Sequence, residues 1–195
     1  MAYKKLKEKF EEFRREKGAD VMSKEALNWF YNYTNKFATG ARFEKTVSSG
    51  TYAKKLIPGK FYLYKYDPKT KEQMPYYDAM PLVLITKVMP DGWYGINFHY
   101  MPPAVRLKIM EGFYDTLNNT SLTDNVKIKG NWRRAVSVAK AASAHHYLKH
   151  SIKRYLSSHL ASPLVELDPK YWAMAIFLPL SRFKKKYKSF VWSDV

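Results

Sequence analysis

The segment from residue 57 to residue 101 restricts the fold most, because it has the pattern of short β-strands joined by proline- and glycine-marked turns. FYLYKY, residues 61–66, alternates its apolar positions with tyrosines, which is the two-residue period of a strand. LVLITKV, residues 82–88, is a continuous apolar run, and the Pro90-Asp91-Gly92 sequence after it is typical of a tight turn. A hairpin is therefore predicted here. The face of its second strand that is predicted to be buried carries Tyr94, Ile96, Phe98 and Tyr100.

An open sheet made of these consecutive strands would leave both its edges and one apolar face exposed. Closure into a small SH3-like β-barrel avoids this, and the missing strands are expected within SPLVEL, residues 162–167, and WAMAIFL, residues 172–178. The predicted fold class is therefore α+β. A helical extension is expected over residues 1–56, followed by a mixed domain over residues 57–195, with barrel strands in 57–101 and 162–178 and a helical insertion over 102–161.

Helices are predicted from apolar residues that recur every three or four positions. Leu6, Phe10 and Phe13 have this spacing, and Ser23 is placed to cap a second helix that runs toward Gly40. AVRLKIMEGFYDTL, residues 104–117, is also helical in pattern, whereas residues 41–55 are polar and small, as in a loop or adaptable arm. Beyond Lys127 the apolar stripe changes face between two groups of residues, which indicates two helices or one bent near residues 143–146. The groups are Trp132, Ala135, Ala139 and Ala142, then Leu148, Ile152 and Tyr155.

The charge balance indicates a polyanionic partner. The chain has 34 Lys and Arg against 17 Asp and Glu, a formal charge of +17, so nucleic acid is the leading candidate. No carboxylate occurs from Lys127 to Val165, whereas the lysines of the first helix lie among glutamates that cancel part of their field. The residues predicted to bind DNA are Lys127, Lys129, Arg133, Arg134, Lys140, Lys149, His150, Lys153, Arg154, Lys184, Lys185 and Lys186.

Aromatic rings beside lysines can stack on nucleic-acid bases while the lysines neutralise phosphates. Most of the rings in the strand region are expected to be core, because the alternation requires one buried face. The opposite face leaves four candidate stacking rings: Tyr62, Tyr64, Trp93 and His99.

Catalysis and metal binding are not favoured by the residues present. The chain has no cysteine, which removes disulfides and thiolate zinc sites and fits folding in a reducing compartment. A nuclease needs clustered carboxylates, and Asp67, Asp78 and Asp91 are better explained as turn residues or isolated acids. His146 and His150 have helical spacing for one metal but no third ligand nearby. We therefore predict a non-enzymatic protein without a metal or cofactor. The charged amino terminus and the lack of a long apolar run predict neither secretion nor membrane insertion.

Several strings resemble the DNA end protector proteins of T-even-type phages and their marine relatives. They are PGKFYLYKYDPKTKEQMPYYDAMPLVLITKV, DGWYGINFHYMPPAVRLKIM, KRYLSSHLASPLVEL, YWAMAIFLPLSRF and VWSDV. The resemblance extends over about residues 57–116 and 131–195. The resemblance implies a virion protein that binds the ends of linear duplex DNA without reading its sequence. Such a protein would shield those ends from host exonuclease, act in the virion and in the host cytoplasm, and contact other virion proteins.

Two other functions fit the same charge. A structural virion protein of the neck, portal region or baseplate could use its basic surface on DNA in a channel or on acidic neighbours. A general nucleic-acid chaperone is the third interpretation, although the chain lacks the basic tail that favours it. Preference for linear over circular duplex would separate an end-binding protein from both.

Overall fold

The computed structural model describes residues 2–20, 23–35, 50–119, 121–141, 146–176 and 180–193. The described residues combine helices with a six-stranded antiparallel sheet and a separate two-stranded sheet, so the predicted α+β class is confirmed. The strands are β1 (Thr51–Tyr52), β2 (Phe61–Leu63), β3 (Tyr77–Asp78), β4 (Leu82–Met89), β5 (Gly92–Asn97), β6 (Ile152–Leu156), β7 (Val165–Glu166) and β8 (Phe183–Lys184). The helices are α1 (Ala2–Lys17), α2 (Lys24–Asn35), α3 (Pro103–Asn118), α4 (Asp124–Ala141), α5 (His146–Lys149), α6 (Pro169–Ala175) and α7 (Lys188–Ser193).

The larger sheet has the strand order β1-β7-β2-β4-β5-β6, and β3 pairs with β8 in the smaller one. In the described part of the chain no pairing joins β1 to β6, so these are open edges and the SH3-like barrel is not confirmed. The predicted hairpin is confirmed, because Met89 pairs with Gly92 and the ladder continues to Val83 opposite Asn97. SPLVEL also contributes a strand as predicted, through Val165 and Glu166 of β7.

Three local predictions are wrong. Residues 152–156 form β6, which pairs along β5, rather than continuing a helix through the 102–161 insertion. Residues 172–175 of WAMAIFL lie in α6 and not in a barrel strand, and residues 177–178 lie outside the described part of the chain. The second hairpin strand ends at Asn97, and residues 98–100 form a short 3-10 helix.

The predicted buried side of α1 and the predicted cap of α2 are confirmed. α1 carries Leu6 and Phe10 into the core, and the Ser23 hydroxyl accepts the Ala26 N–H at 3.2 Å, as expected of a helix cap. α3 covers nearly the predicted span. The extension of α2 toward Gly40, most of the predicted arm and the proposed bend at residues 143–146 lie largely outside the described residues.

Both faces of the larger sheet are buried, so the aromatic rings of its strands lie in two separate clusters. One face packs with α1, α2, α3 and α6 through a large core that contains Phe61, Leu63, Leu84, Phe98 and Trp172. The other face carries an aromatic cluster, which consists of Tyr62, Tyr64, Tyr66, Val83, Ile85, Trp93 and Tyr155.

The four candidate stacking rings are therefore not available. Tyr62, Tyr64 and Trp93 are at most 3% exposed and His99 is fully buried, so the prediction that they face outward is wrong. The tyrosine hydroxyls find partners inside the fold, since Tyr64 accepts a hydrogen bond from Trp93 Nε1 at 2.9 Å and Tyr62 donates one to Glu166 at 3.0 Å. Burial of a tyrosine ring is favourable once its hydroxyl has such a partner.

Candidate nucleic-acid interface

The outer side of α4 presents the most continuous basic surface among the predicted residues. Lys129, Arg133 and Lys140 are exposed and lie within one side of the helix, given its turn of about 100° per residue. The opposite side is buried through Asn131 and Ala135. The three cations span about 16 Å of helix axis, estimated from the rise per residue. We call Lys129, Arg133 and Lys140 the α4 face.

α4 is held against the sheet by two contacts. Trp132 donates its Nε1 hydrogen to the Thr86 carbonyl of β4 at 2.9 Å. On the same side Gly59, at φ +91°, leaves only 2.6 Å between an ideal Cβ position and the carbonyl oxygen of Ile128. Only glycine permits both the positive φ and this close approach of the turn to the helix. The helix that carries the α4 face therefore packs closely on β4 and on the turn at Gly59.

Arg134, also predicted to bind DNA, points toward α3. Its Nη1 atom lies 2.7 Å from the position that a Cβ on Gly112 would occupy, so the missing side chain makes room for the guanidinium. Arg134 is nevertheless exposed, as is Lys149 of α5, whereas Lys127 and His150 are half-buried.

Several cations of α1 are paired with carboxylates, and for Lys9 and Arg14 the partner lies within the helix, as the sequence predicts. Lys7 pairs with Glu111, Lys9 with Glu12 at 2.5 Å and Arg14 with Glu11 at 3.2 Å. Within the described residues, no salt bridge involves Lys129, Arg133 or Lys149. The net positive charge of α1 is therefore smaller than that of α4.

Arg154, Lys153 and Lys185, all predicted to bind DNA, also make contacts within the fold. Arg154, on β6, pairs with Asp91 of the β4–β5 turn at 2.5 Å. Lys153 lies 4.1 Å from the centre of the Tyr100 ring, and burial lowers the pKa of its ammonium group to about 8. Lys185 donates to the carbonyls of three residues: Lys71 at 2.7 Å, Glu72 at 3.0 Å and Met74 at 3.1 Å. These contacts leave Arg154 and Lys185 less able to reach a phosphate, and the lowered pKa makes Lys153 less completely charged.

Lys184 and Lys186, on either side of Lys185, are exposed. The ring that follows them, Tyr187, is 86% exposed, which makes it the most exposed large apolar side chain in the described part of the chain. Tyr187 is absent from the rings predicted from sequence, because it lies outside the strand pattern. Its signal is its position immediately after a run of three lysines.

A buried polar network positions this carboxyl-terminal segment. The Asp78 carboxylate accepts hydrogen bonds from the backbone N–H groups of Arg182 at 2.9 Å and Met80 at 3.1 Å, and lies 2.6 Å from His99 Nδ1. Trp192 of α7 donates to the His99 carbonyl at 2.9 Å. Asp78 and His99 resemble an acid–base pair, but their side chains are at most 1% exposed, so they hold segments together and reach no substrate.

The Asp78 network predicts a specific acid sensitivity. Burial alone would raise the pKa of Asp78, but His99 and the two backbone donors lower it below its ordinary value. A carboxylate with a lowered pKa stabilises the fold above its unfolded pKa of about 4, and that contribution is lost as pH falls through the folded value. We expect Asp78→Asn to lower the free energy of unfolding at pH 7 by about 1–3 kcal/mol and to flatten its decline at acid pH. Denaturant unfolding at several pH values measures both.

Asp67→Asn is the matched control for that prediction. Asp67 pairs with Lys71 at 2.9 Å, but its side chain is 56% exposed, so its loss should change stability by less than about 1 kcal/mol. If the free energy of unfolding depended on pH in the same way for wild type and Asp78→Asn, the Asp78 carboxylate would not anchor the carboxyl-terminal segment.

Two further observations bear on function. Among the described residues, no group of three His, Asp or Glu side chains lies close enough together to hold a metal ion. The helices that the structure describes include none with the length and apolar character needed to cross a membrane.

Comparison with known proteins identifies one family. The sequence model described as the phage T4 terminal DNA protecting protein matches residues 3–195. No curated protein and no solved structure matches the chain significantly.

Proposed function

The chain belongs to the phage T4 terminal DNA protecting protein family, which binds and protects DNA ends, and from this membership we propose that it is a non-catalytic cap held on duplex DNA by the α4 face. The observation that carries the proposal is the α4 face itself. Its cations are exposed, lie on one side of a helix and are fixed to the sheet through Trp132 and Gly59.

The α4 face is suited to phosphates rather than to bases. Lysine and arginine neutralise backbone phosphates and release counterions, and this interaction is the same for every sequence. A protein that protects DNA ends must accept whatever sequence lies there, so contacts to the backbone meet the requirement. Because no carboxylate occurs from Lys127 to Val165, α4 carries no negative side chain after Asp124.

Binding is expected to weaken steeply as salt rises. The exposed cations of the predicted set include Lys129, Arg133, Lys140, Lys149, Lys184 and Lys186, with Arg134 beside Gly112. Contact between about six cations and phosphates gives a slope of about −5 when the logarithm of the binding constant is plotted against that of salt concentration. Titration of a labelled duplex at several salt concentrations measures the slope. A slope near zero would contradict phosphate binding.

The setting of this activity follows from the family. We infer that the protein accompanies packaged DNA in the virion, contacts other virion proteins there, and shields the DNA ends from exonuclease in the host cytoplasm. Shielding requires only that the terminal base pairs be covered, so no step of bond breaking is assigned to any residue. Incubation of purified protein with linear duplex and Mg²⁺, Mn²⁺ or Zn²⁺ tests this, because loss of full-length DNA would contradict a non-catalytic role.

A further inference from the structure

Charge alone does not explain how a protein distinguishes an end from the rest of a duplex. Phosphates are present along the whole molecule, so the α4 face binds internal sites and ends alike. What an end offers in addition is the flat face of its last base pair, which is covered by stacking everywhere else. A side chain that recognises ends therefore needs an exposed ring.

We propose that Tyr187 stacks on the terminal base pair of duplex DNA while Lys184 and Lys186 contact the adjacent phosphates. This inference rests on the proposed function. The ring of Tyr187 is 86% exposed, although a tyrosine ring gains free energy from burial, and it follows directly on the lysines. The combination of a free aromatic face with neighbouring cations is the one that proteins use to hold unstacked bases.

The backbone on both sides of Tyr187 is fixed. Before it, Lys185 adopts a left-handed conformation at φ 71°, which its ammonium group stabilises by donating to three carbonyls of the 71–74 turn. After it, the Tyr187 carbonyl accepts the N–H of Val191 at 3.1 Å, and the Val191 side chain is fully buried. A ring on a fixed backbone loses little freedom on binding, which favours stacking.

The neighbouring rings complete the surface. Phe190 is 40% exposed, lies 4.5 Å from the Lys186 ammonium group, and contacts the ring of Tyr76 at a centroid distance of 6.2 Å. Trp192 is anchored to the His99 carbonyl and lies 5.2 Å from the Arg106 guanidinium. Phe190 and Trp192, which follow Tyr187 in α7, thus connect the segment after the ring to Tyr76 and to the His99 carbonyl.

Tyr52 provides a matched control. It is 73% exposed on the edge strand β1, and Lys54 and Lys55 follow it as exposed cations. If nonspecific affinity for DNA were sufficient, any exposed ring beside lysines would produce the preference for ends. The proposal assigns end recognition to Tyr187 and not to Tyr52.

The test compares binding of a linear blunt duplex with binding of the same duplex closed into a circle. For wild type we expect tighter binding to the linear form. Tyr187→Ala should lose that preference, by roughly ten- to hundredfold in affinity for the linear form, the usual effect of removing one stacked ring. Its affinity for the circle should stay unchanged, and Tyr187→Trp and Tyr52→Ala should keep the preference. Because the ring is exposed, unchanged thermal melts are expected for every variant.

Three results would overturn the assignment. Equal losses of Tyr187→Ala on linear and circular DNA would mean that the ring contacts no terminal base pair, and unchanged affinity for both forms would mean that it contacts none of the DNA. Loss of the preference in Tyr52→Ala as well would show that neither ring is specific. A wild-type protein without any preference would instead contradict the proposed function itself, which keeps the two failures distinguishable.

Discussion

Trp93→Ala is expected to lower the free energy of unfolding by about 3–5 kcal/mol, the usual cost of truncating a buried tryptophan. The ring is 3% exposed and stacks against Tyr155 at a centroid distance of 5.9 Å. Its loss also removes the hydrogen bond from Nε1 to the Tyr64 hydroxyl, which would leave a fully enclosed oxygen without that donor. Chemical denaturation followed by circular dichroism measures the change.

The control for Trp93→Ala is Tyr187→Ala, because that ring is 86% exposed and its removal should change stability by less than about 0.5 kcal/mol. Phe98→Ala and Ile96→Ala, from the opposite face of the sheet, should each cost about 2–5 kcal/mol. If Trp93→Ala unfolds like wild type while Phe98→Ala does not, the Trp93 face is open and the aromatic cluster is available for ligands.

The second large effect concerns the α4 face. We expect Lys129→Glu combined with Lys140→Glu to weaken duplex binding about a hundredfold or more at moderate salt, because two phosphate contacts are lost and two repulsions are introduced. Fluorescence anisotropy with a labelled duplex measures the affinity. The salt slope should decrease by about two in the same variant.

Lys5→Glu combined with Lys17→Glu is the matched control for charge. Both double variants replace two exposed lysines by glutamates, so they change net charge equally. Lys17 also lies in the last turn of its helix, as Lys140 does in α4. The control should weaken binding several-fold at most, because long-range charge is screened over about 10 Å. Equal losses in the two double variants would mean that net charge alone attracts DNA and that α4 has no special role.

The parts of the fold that could be predicted from sequence depend on local signals. Pro90 and Gly92 determine the β4–β5 hairpin, and the spacing of Leu6 and Phe10 gives the buried side of α1. These features depend on a few adjacent residues, so distant contacts do not alter them.

The wrong predictions depend on distant partners. Ile152 and Tyr155 have the spacing of a helix, and residues 152–156 do not alternate between apolar and polar. Their strand conformation therefore depends on pairing with β5. WAMAIFL is an apolar run whose periodicity does not distinguish a buried helix from a strand. The aromatic cluster was missed because its hydroxyls are satisfied by Trp93, Asn97 and Glu166, far from the tyrosines in sequence.

The candidate site divides in the same way. Exposure of Lys129, Arg133 and Lys140 follows from helical spacing, so the basic side of α4 is accessible to sequence reasoning. The roles of Lys185 and Arg154 are not, because they depend on the carbonyls of the 71–74 turn and on Asp91. A lysine or arginine in a basic run is identified as structural only when its partner is known.

Protection of a long linear duplex from a processive exonuclease tests the central claim most directly. Protein is added at a few copies per DNA molecule, too few to coat it, and the survival of full-length DNA is followed over time. We predict that wild type and the Lys5→Glu, Lys17→Glu control preserve full-length DNA, whereas the Lys129→Glu, Lys140→Glu variant does not. Degradation at the rate of naked DNA in the presence of wild type, with protection only when protein coats the duplex, would contradict end capping through the α4 face.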